Sequence, residues 1–219
     1  MGKVLVYMHS GLTSVRNVCR ELEWRWYKKK RRRRLTNADF SIIAVNCCGT
    51  IMYHDLGLPF SSPTINLVIG MEDFVKMMRN LRWYMEQEIV ELESDDNFPV
   101  GLLGDIRIDF VHYDTFEDAV LKWEERKKRI NWDNIFIVGT EGYSYKAMEE
   151  FDQLPYENKI ILTRTNYPEI ASAYWMKEFE ENSEGNTLLS FKNQFLKRRY
   201  IDDFDYVSFL NGREDKKPM

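Results

Sequence analysis

Ile135-Phe-Ile-Val-Gly-Thr-Glu-Gly142 is a short apolar run that ends abruptly in two glycines flanking a Thr-Glu pair. Four consecutive apolar residues are what a strand covered on both faces requires. A helical segment near 144–153 and Pro155 follow, and then a second apolar run, Lys159-Ile-Ile-Leu162, ending Thr163-Arg-Thr-Asn166. Strand, helix, strand over so short a span predicts βαβ units in a parallel sheet. Pro168 suits the first position of a further helix.

Upstream, Phe40-Ser-Ile-Ile-Ala-Val45 has the same character and predicts another buried strand. It leads into Asn46-Cys-Cys-Gly-Thr-Ile-Met-Tyr-His-Asp-Leu-Gly-Leu-Pro-Phe-Ser-Ser-Pro63, read as a long functional loop, and then into a further apolar run at Ile65–Ile69. Phe74, Met77, Met78, Leu81, Tyr84 and Met85 share one face of a helix predicted near 71–88. A polar turn at Glu93–Asn97 follows. Ile106, Ile108 and Phe110 alternate with Arg107 and Asp109, giving a half-exposed strand that pairs antiparallel across Gly101–Gly104, with His112 continuing its apolar face. Thr115-Phe-Glu-Asp118 is a helix start, and Arg126-Lys-Lys-Arg129 places positive charge at that helix's negative end or forms an anion clamp. The tail from Leu188 alternates aromatic and charged residues. The expected fold is α/β: a Rossmann-like, mostly parallel sheet with flanking helices, one antiparallel strand and an appended N-terminal amphipathic helix. Residues 1–35 form the appended segment, 36–211 one α/β domain and 212–219 a frayed tail.

Residues 1–35 have their own signature. Val15, Val18, Cys19, Leu22 and Trp26 recur at helical spacing, and seven consecutive basic residues, Lys28–Arg34, follow. The pattern fits either a helix packed on the domain with a solvated basic end or one lying on an anionic membrane surface. Val4–Met8 also has the character of a short strand.

With 219 residues and 44% hydrophobic content the chain can build a core. A net charge of -4 argues against general nucleic-acid binding. Three cysteines, two of them adjacent, make no secreted disulfide framework, and without a Cys-x-x-Cys pair a structural zinc site is not expected. No apolar run reaches membrane-span length and no signal-peptide pattern is present, so the sequence reads as cytoplasmic.

Ligands in open α/β sheets bind outside the carboxyl ends of the strands. That rule gathers Asn46, Cys47 and Gly49 from the first strand, Gly139 and Thr140 from the second, and Arg164 from the third. His112 closes its own strand, as a further catalytic candidate or as a core or strand-end histidine. His54 and Asp55 would reach the same edge from the long loop, as an acid/base and its orienting carboxylate. Asp105 is a second candidate base, or a turn residue. Arg164 and the Gly139–Gly142 backbone would meet phosphate. Cys47 is either a nucleophile or a small buried side chain. Asp203-Phe-Asp205 has the Asp-x-Asp spacing by which many glycosyltransferases hold a divalent metal and a nucleotide diphosphate, a triplet short enough to arise by chance.

Arg31-Arg-Arg-Arg-Leu-Thr-Asn-Ala-Asp-Phe40, Asn46-Cys47, Tyr53-His-Asp-Leu-Gly-Leu-Pro59, Ser62-Pro-Thr64, Phe98-Pro-Val-Gly101, Gly104-Asp-Ile106 and Phe151-Asp-Gln-Leu-Pro155 together form a specific set. In them the chain resembles, over about residues 31–211, a bacterial family of unknown biochemical function. Its members are commonly labelled exopolysaccharide biosynthesis proteins. The resemblance implies a role in assembling cell-surface polysaccharide, as a cytoplasmic transferase with an activated sugar or acyl donor. Taken with the strand-end cluster and the basic amphipathic N-terminus, it leads to the expectation of a glycosyltransferase of exopolysaccharide or capsule biosynthesis at the inner membrane face, with a lipid-linked or glycan acceptor. A nucleotide-sugar donor would be a natural companion for a divalent metal. The family tends to carry paired glycines after Asn-Cys, whereas here the sequence is Cys48-Gly49-Thr50. It brings no established catalytic residues. A non-catalytic sugar- or partner-binding module and a Cys47-dependent acyl transferase or hydrolase are the rival expectations.

Overall fold

The three apolar runs Ser41–Ala44, Ile135–Thr140 and Lys159–Thr163 lie side by side in the computed structural model, all parallel, with Ile43 opposite Ile137 and Val138 opposite Ile160. The structure describes residues 2–212 other than 143 and 183, and for residues 2–16 the backbone alone.

In chain order, helix α1 (Gly2–Arg34) precedes strand β1 (Ser41–Ala44) and helices α2 (Cys48–Leu56), α3 (Met71–Arg79) and α4 (Leu81–Glu86). An antiparallel sheet follows, built from β2 (Ile89–Leu92), β3 (Val100–Leu103) and β4 (Ile106–Asp109). Then come α5 (Phe116–Lys127), β5 (Ile135–Thr140), α6 (Tyr145–Asp152), β6 (Lys159–Thr163), β7 (Ala173–Trp175) and α7 (Lys177–Glu181). The hairpin β8 (Phe191–Asn193) and β9 (Arg198–Arg199), a 3-10 turn at Tyr200–Asp203 and helix α8 (Tyr206–Leu210) complete the described chain. The main sheet runs β1-β5-β6-β7, entirely parallel, and the fold is α/β and Rossmann-like.

Alternate residues of β1, β5 and β6 feed two cores, because successive strand side chains point to opposite faces. Ile43, Ile137 and Ile161 pack with Phe74 and Met77 of α3, Trp123 of α5 and Phe151 of α6. Ile42, Ala44, Phe136 and Leu162 pack with Met52 and Leu56 of α2 and with Val207 and Leu210 of α8. The antiparallel sheet joins the first core through Leu103, Ile106, Ile108 and Phe110.

Local signals set several boundaries. Thr115 Oγ1 accepts from the Asp118 N–H at 3.2 Å and starts α5. Ser144 Oγ does the same for Ala147 and α6 at 3.2 Å. Gly57, at φ 62°, ends α2 with its N–H turned back to His54 and Tyr53 carbonyls.

Five readings are corrected. The first half of the stretch after Asn46 is helix α2 and not a loop. Ile65–Ile69 is not a strand: Asn66 sits at φ 62° and only Val68 makes a bridge, to Asp109. The 71–88 helix breaks at Asn80, and β2 follows it. Pro168 opens no helix, because the Asp152 carboxylate holds the Ala171 and Ser172 N–H groups in turns that feed β7. Val4–Met8 lies within α1.

Candidate functional site

Above the carboxyl ends of β1, β5 and β6 lies a pocket of about 510 Å³. The turn out of β1 supplies Asn46, Cys47 and Cys48, and the end of β5 supplies Thr140, Glu141 and Gly142. Arg164 comes from the end of β6, His112 from the turn after β4, and Phe179 with Asn186–Leu189 closes the far side. A smaller recess of about 200 Å³ continues from Asn46 and Thr140 toward Gly70 and the start of α3.

The floor is tied together by hydrogen bonds. Asn46 Nδ2 donates to Thr140 Oγ1 at 3.1 Å, and Asn46 Oδ1 accepts from the Cys48 N–H at 3.0 Å. That second bond satisfies one of the unpaired donors at the start of α2, whose first residue Cys48 lines the pocket beside Cys47. Glu141 accepts from the backbone N–H groups of Arg164 at 2.6 Å and Thr165 at 3.1 Å, and from Tyr167 Oη at 2.9 Å. One carboxylate thus fixes the loop after β6 to the end of β5. Arg164 Nε lies 3.8 Å from Glu141 Oε1, with more than half of the Arg164 side chain exposed to the cleft.

The pocket joins Asn46, Cys47, Thr140, Arg164 and His112 of the candidates named from sequence. His112 stands exposed beyond the end of β4, where it does not extend the apolar face of that strand. The other candidates lie elsewhere. His54 and Asp55 sit in the last turn of α2, six and seven residues beyond Cys48, which at about 1.5 Å per residue carries them roughly 9 to 10 Å along the helix. His54 Nδ1 and Asp55 Oδ1 do pair, at 3.2 Å, but the Asp55 side chain is fully buried and faces Arg199 at 3.9 Å. Burial raises the Asp55 pKa, opposed by the His54 hydrogen bond. Asp105 occupies the β3–β4 turn, where it pairs with Lys76 and accepts from Tyr84 Oη at 2.7 Å. Those contacts hold its carboxyl below the usual range, the reverse of what a base needs.

The two remaining glycines serve packing. A Cβ on Gly49 would stand 2.9 Å from the Ala44 Cβ, so the missing side chain seats α2 on β1. At Gly139 the same atom would press on Phe151 and Met71 at 3.1 and 3.2 Å. Cys47 lines the pocket, yet burial pushes its thiol pKa up, away from the thiolate that a nucleophile requires.

Sequence reasoning missed Glu141, although its place between two glycines at a strand end is a readable signal. It also missed Phe179 and Asn186–Leu189, which only the return of the chain over the sheet brings there. Among the described residues no group of three or more His, Cys, Asp or Glu is placed to hold a metal ion. In the Asp-x-Asp triplet, Asp203 pairs with Lys192 and Asp205 caps α8 while pairing with Arg34. The arrangement offers a cation and a helix N-terminus for an anionic group, amide and hydroxyl groups for a polar ligand, and one imidazole for proton transfer.

The chain matches the family described as "Domain of unknown function (DUF1919)" over residues 18–211. It is also 38% identical over 181 residues to an uncharacterized protein of Haemophilus influenzae, an alignment covering 82% of this chain and 87% of the relative.

Proposed function

The chain belongs to the DUF1919 family, and from that premise we propose a transferase, specifically a glycosyltransferase of exopolysaccharide or capsule biosynthesis, with its site in the strand-end pocket. One observation carries the reading: Arg164, the N-terminal end of α2 and His112 meet in one cleft at the carboxyl ends of parallel strands. A cation and a helix N-terminus together suit the phosphates of an activated donor such as a nucleotide sugar. His112 then serves as general base toward an acceptor hydroxyl on a lipid-linked or other glycan. Asn46, Thr140, Asn186 and Thr187 provide hydrogen bonds for sugar hydroxyls. The exopolysaccharide context rests on the motif resemblance, the transferase chemistry on the pocket.

The test is a thermal-shift screen of the protein against nucleotide sugars and acyl donors, each with and without a divalent metal. A ligand at 100 times its dissociation constant stabilises a fold by about 2.7 kcal/mol, a visible shift. The expected result is a nucleotide-sugar shift that Arg164→Ala abolishes, with transfer or slow hydrolysis of that donor. Binding without turnover would make the protein a sugar-binding module. A shift only with acyl donors, lost on alkylation of Cys47, would restore the thiol mechanism. A blank screen with folded protein would remove the donor site.

A further inference from the structure

Helix α1 is held on the domain by one face. Trp24 and Arg31 are buried, and the Arg31 guanidinium lies between the rings of Tyr27 and Tyr206, at 4.3 and 4.4 Å from their centroids. Glu23 reaches Arg198 at 3.1 Å, and Glu21 pairs with Lys197. These contacts fix the rotation of the helix, and with it the identity of the outward face.

That outward face is apolar and basic at once. Val18, Leu22 and Trp26 are 55, 58 and 61% exposed. At about 100° per residue they form one line down the helix, one residue every turn. Arg25, Lys29 and Arg33 form a parallel exposed line beside it, and Lys30 lies over the Trp26 ring at 5.4 Å. Of the apolar stripe read from the sequence, Val15 lies outside the described side chains, and Val18, Cys19, Leu22 and Trp26 do not pack on the domain. They stand in solvent, edged with cations.

We propose that this face of α1 docks the protein on an anionic lipid bilayer, with Val18, Leu22 and Trp26 inserted at the headgroup boundary and Arg25, Lys29, Lys30 and Arg33 on lipid phosphates. The chemistry selects this occupant. Tryptophan beside an aliphatic stripe suits the interface between headgroups and acyl chains, and long basic side chains reach headgroups from the same face. A second copy meeting the same face would bring four like charges against four. A nucleic acid would engage the cations but leave Val18 and Leu22 without a partner. None of the helices among the described residues is long and apolar enough to cross a membrane, so the attachment is peripheral. The proposal stands apart from the chemistry of the pocket.

The experiment is co-sedimentation of the full chain with vesicles of phosphatidylcholine alone and of phosphatidylcholine with about 30 mol% phosphatidylglycerol, the anionic component that basic residues sense. Pelleting with the anionic vesicles only, released by salt, is expected. The variant Arg25→Glu/Lys29→Glu/Arg33→Glu should lower partitioning by more than about tenfold, at about fivefold or more for each charge. Leu22→Ser/Trp26→Ser should also lower it severalfold with every charge intact, which bare electrostatic attraction would not do. All altered side chains are exposed, so both variants should melt with the parent protein. Three results would each overturn the proposal: no pelleting with anionic vesicles, equal pelleting with both lipids, or Leu22→Ser/Trp26→Ser pelleting as the parent does. A parent dimer in sedimentation velocity that this last variant dissolves would instead assign the face to a second copy.

Discussion

Asn46 Nδ2 donates to Thr140 Oγ1 at 3.1 Å, joining the end of β1 to the end of β5 across the floor of the pocket. The same amide accepts from the Cys48 N–H, so it also starts α2. Stability and ligand geometry are coupled in this one side chain. Asn46→Ala removes the acceptor of the Cys48 N–H and an inter-strand bond and should cost about 1 to 2 kcal/mol in urea unfolding. Asn46→Asp keeps the acceptor for Cys48 but sets a negative charge beside the anion site. It should therefore retain most of the stability while weakening a phosphate-bearing ligand about tenfold or more in calorimetric titration. Equal affinity in the Asp variant would place the anionic group away from the α2 terminus.

Of His54, read from the sequence as the acid/base, and His112, read as closing its strand, only His112 lines the pocket. His112→Ala should lower transfer by about 100-fold or more, within the range of general-base catalysis, with an unchanged melting temperature because the side chain is exposed. His54→Ala, at the far end of α2, should leave transfer within about twofold, less than the 10²–10⁴-fold of a true base. Comparable losses in both variants would show that the assay reports folding and not chemistry.

Strands β1, β5 and β6 were legible because each is a short apolar run bounded by polar residues, and the parallel sheet followed from their spacing. Helix α2 was not. Cys48-Gly-Thr-Ile51 is a poor helix former, and the helix exists because Cys48, Met52 and Leu56 bury one face while Gly49 lets it close on Ala44. That single misreading brought His54 and Asp55 into the imagined site. Strand β7 has only three residues and owes its place to pairing with β6, which no local pattern announces. The stripe on α1 was correctly seen as periodic, but periodicity alone does not say whether a stripe is covered.

Asp55 gives a pH signature. Its carboxyl is buried, and burial raises its pKa above the ordinary 3.8 despite His54 and Arg199. Below that ordinary value both folded and unfolded chains carry it protonated. As pH rises through the window up to the raised folded value, the unfolded chain ionises first, and stability is lost. At neutral pH the fold therefore holds a carboxylate that would be better neutral. Asp55→Asn should match or exceed the parent in stability at pH 7, and the difference between the two should vanish toward acid. A variant weaker than the parent by more than about 2 kcal/mol at pH 7 would mean that the ionised pair with Arg199 is net stabilising.

Arg31 is the strongest single tie between α1 and the rest of the chain. Its guanidinium donates to Asp202 Oδ1 at 2.7 Å, to Tyr206 Oη at 2.6 Å and to the Asp202 carbonyl at 2.9 Å, with the Asp202 side chain only 2% exposed. Burial opposes the Arg31 charge, and Tyr206 and Asp202 more than offset it, leaving its pKa raised. Removing one partner of such a pair strands the other charge, so Arg31→Ala should destabilise the fold by about 3 to 5 kcal/mol in chemical denaturation. Arg31→Lys should recover little, because an ammonium on a flexible stem cannot match the planar fork that reaches all three acceptors while lying between Tyr27 and Tyr206. Asp202→Asn in the Arg31→Ala background should restore part of the loss by removing the stranded charge. If the double variant is no better than the single one, the damage lies in the lost stacking on Tyr27 and Tyr206, and the ion pair contributes little.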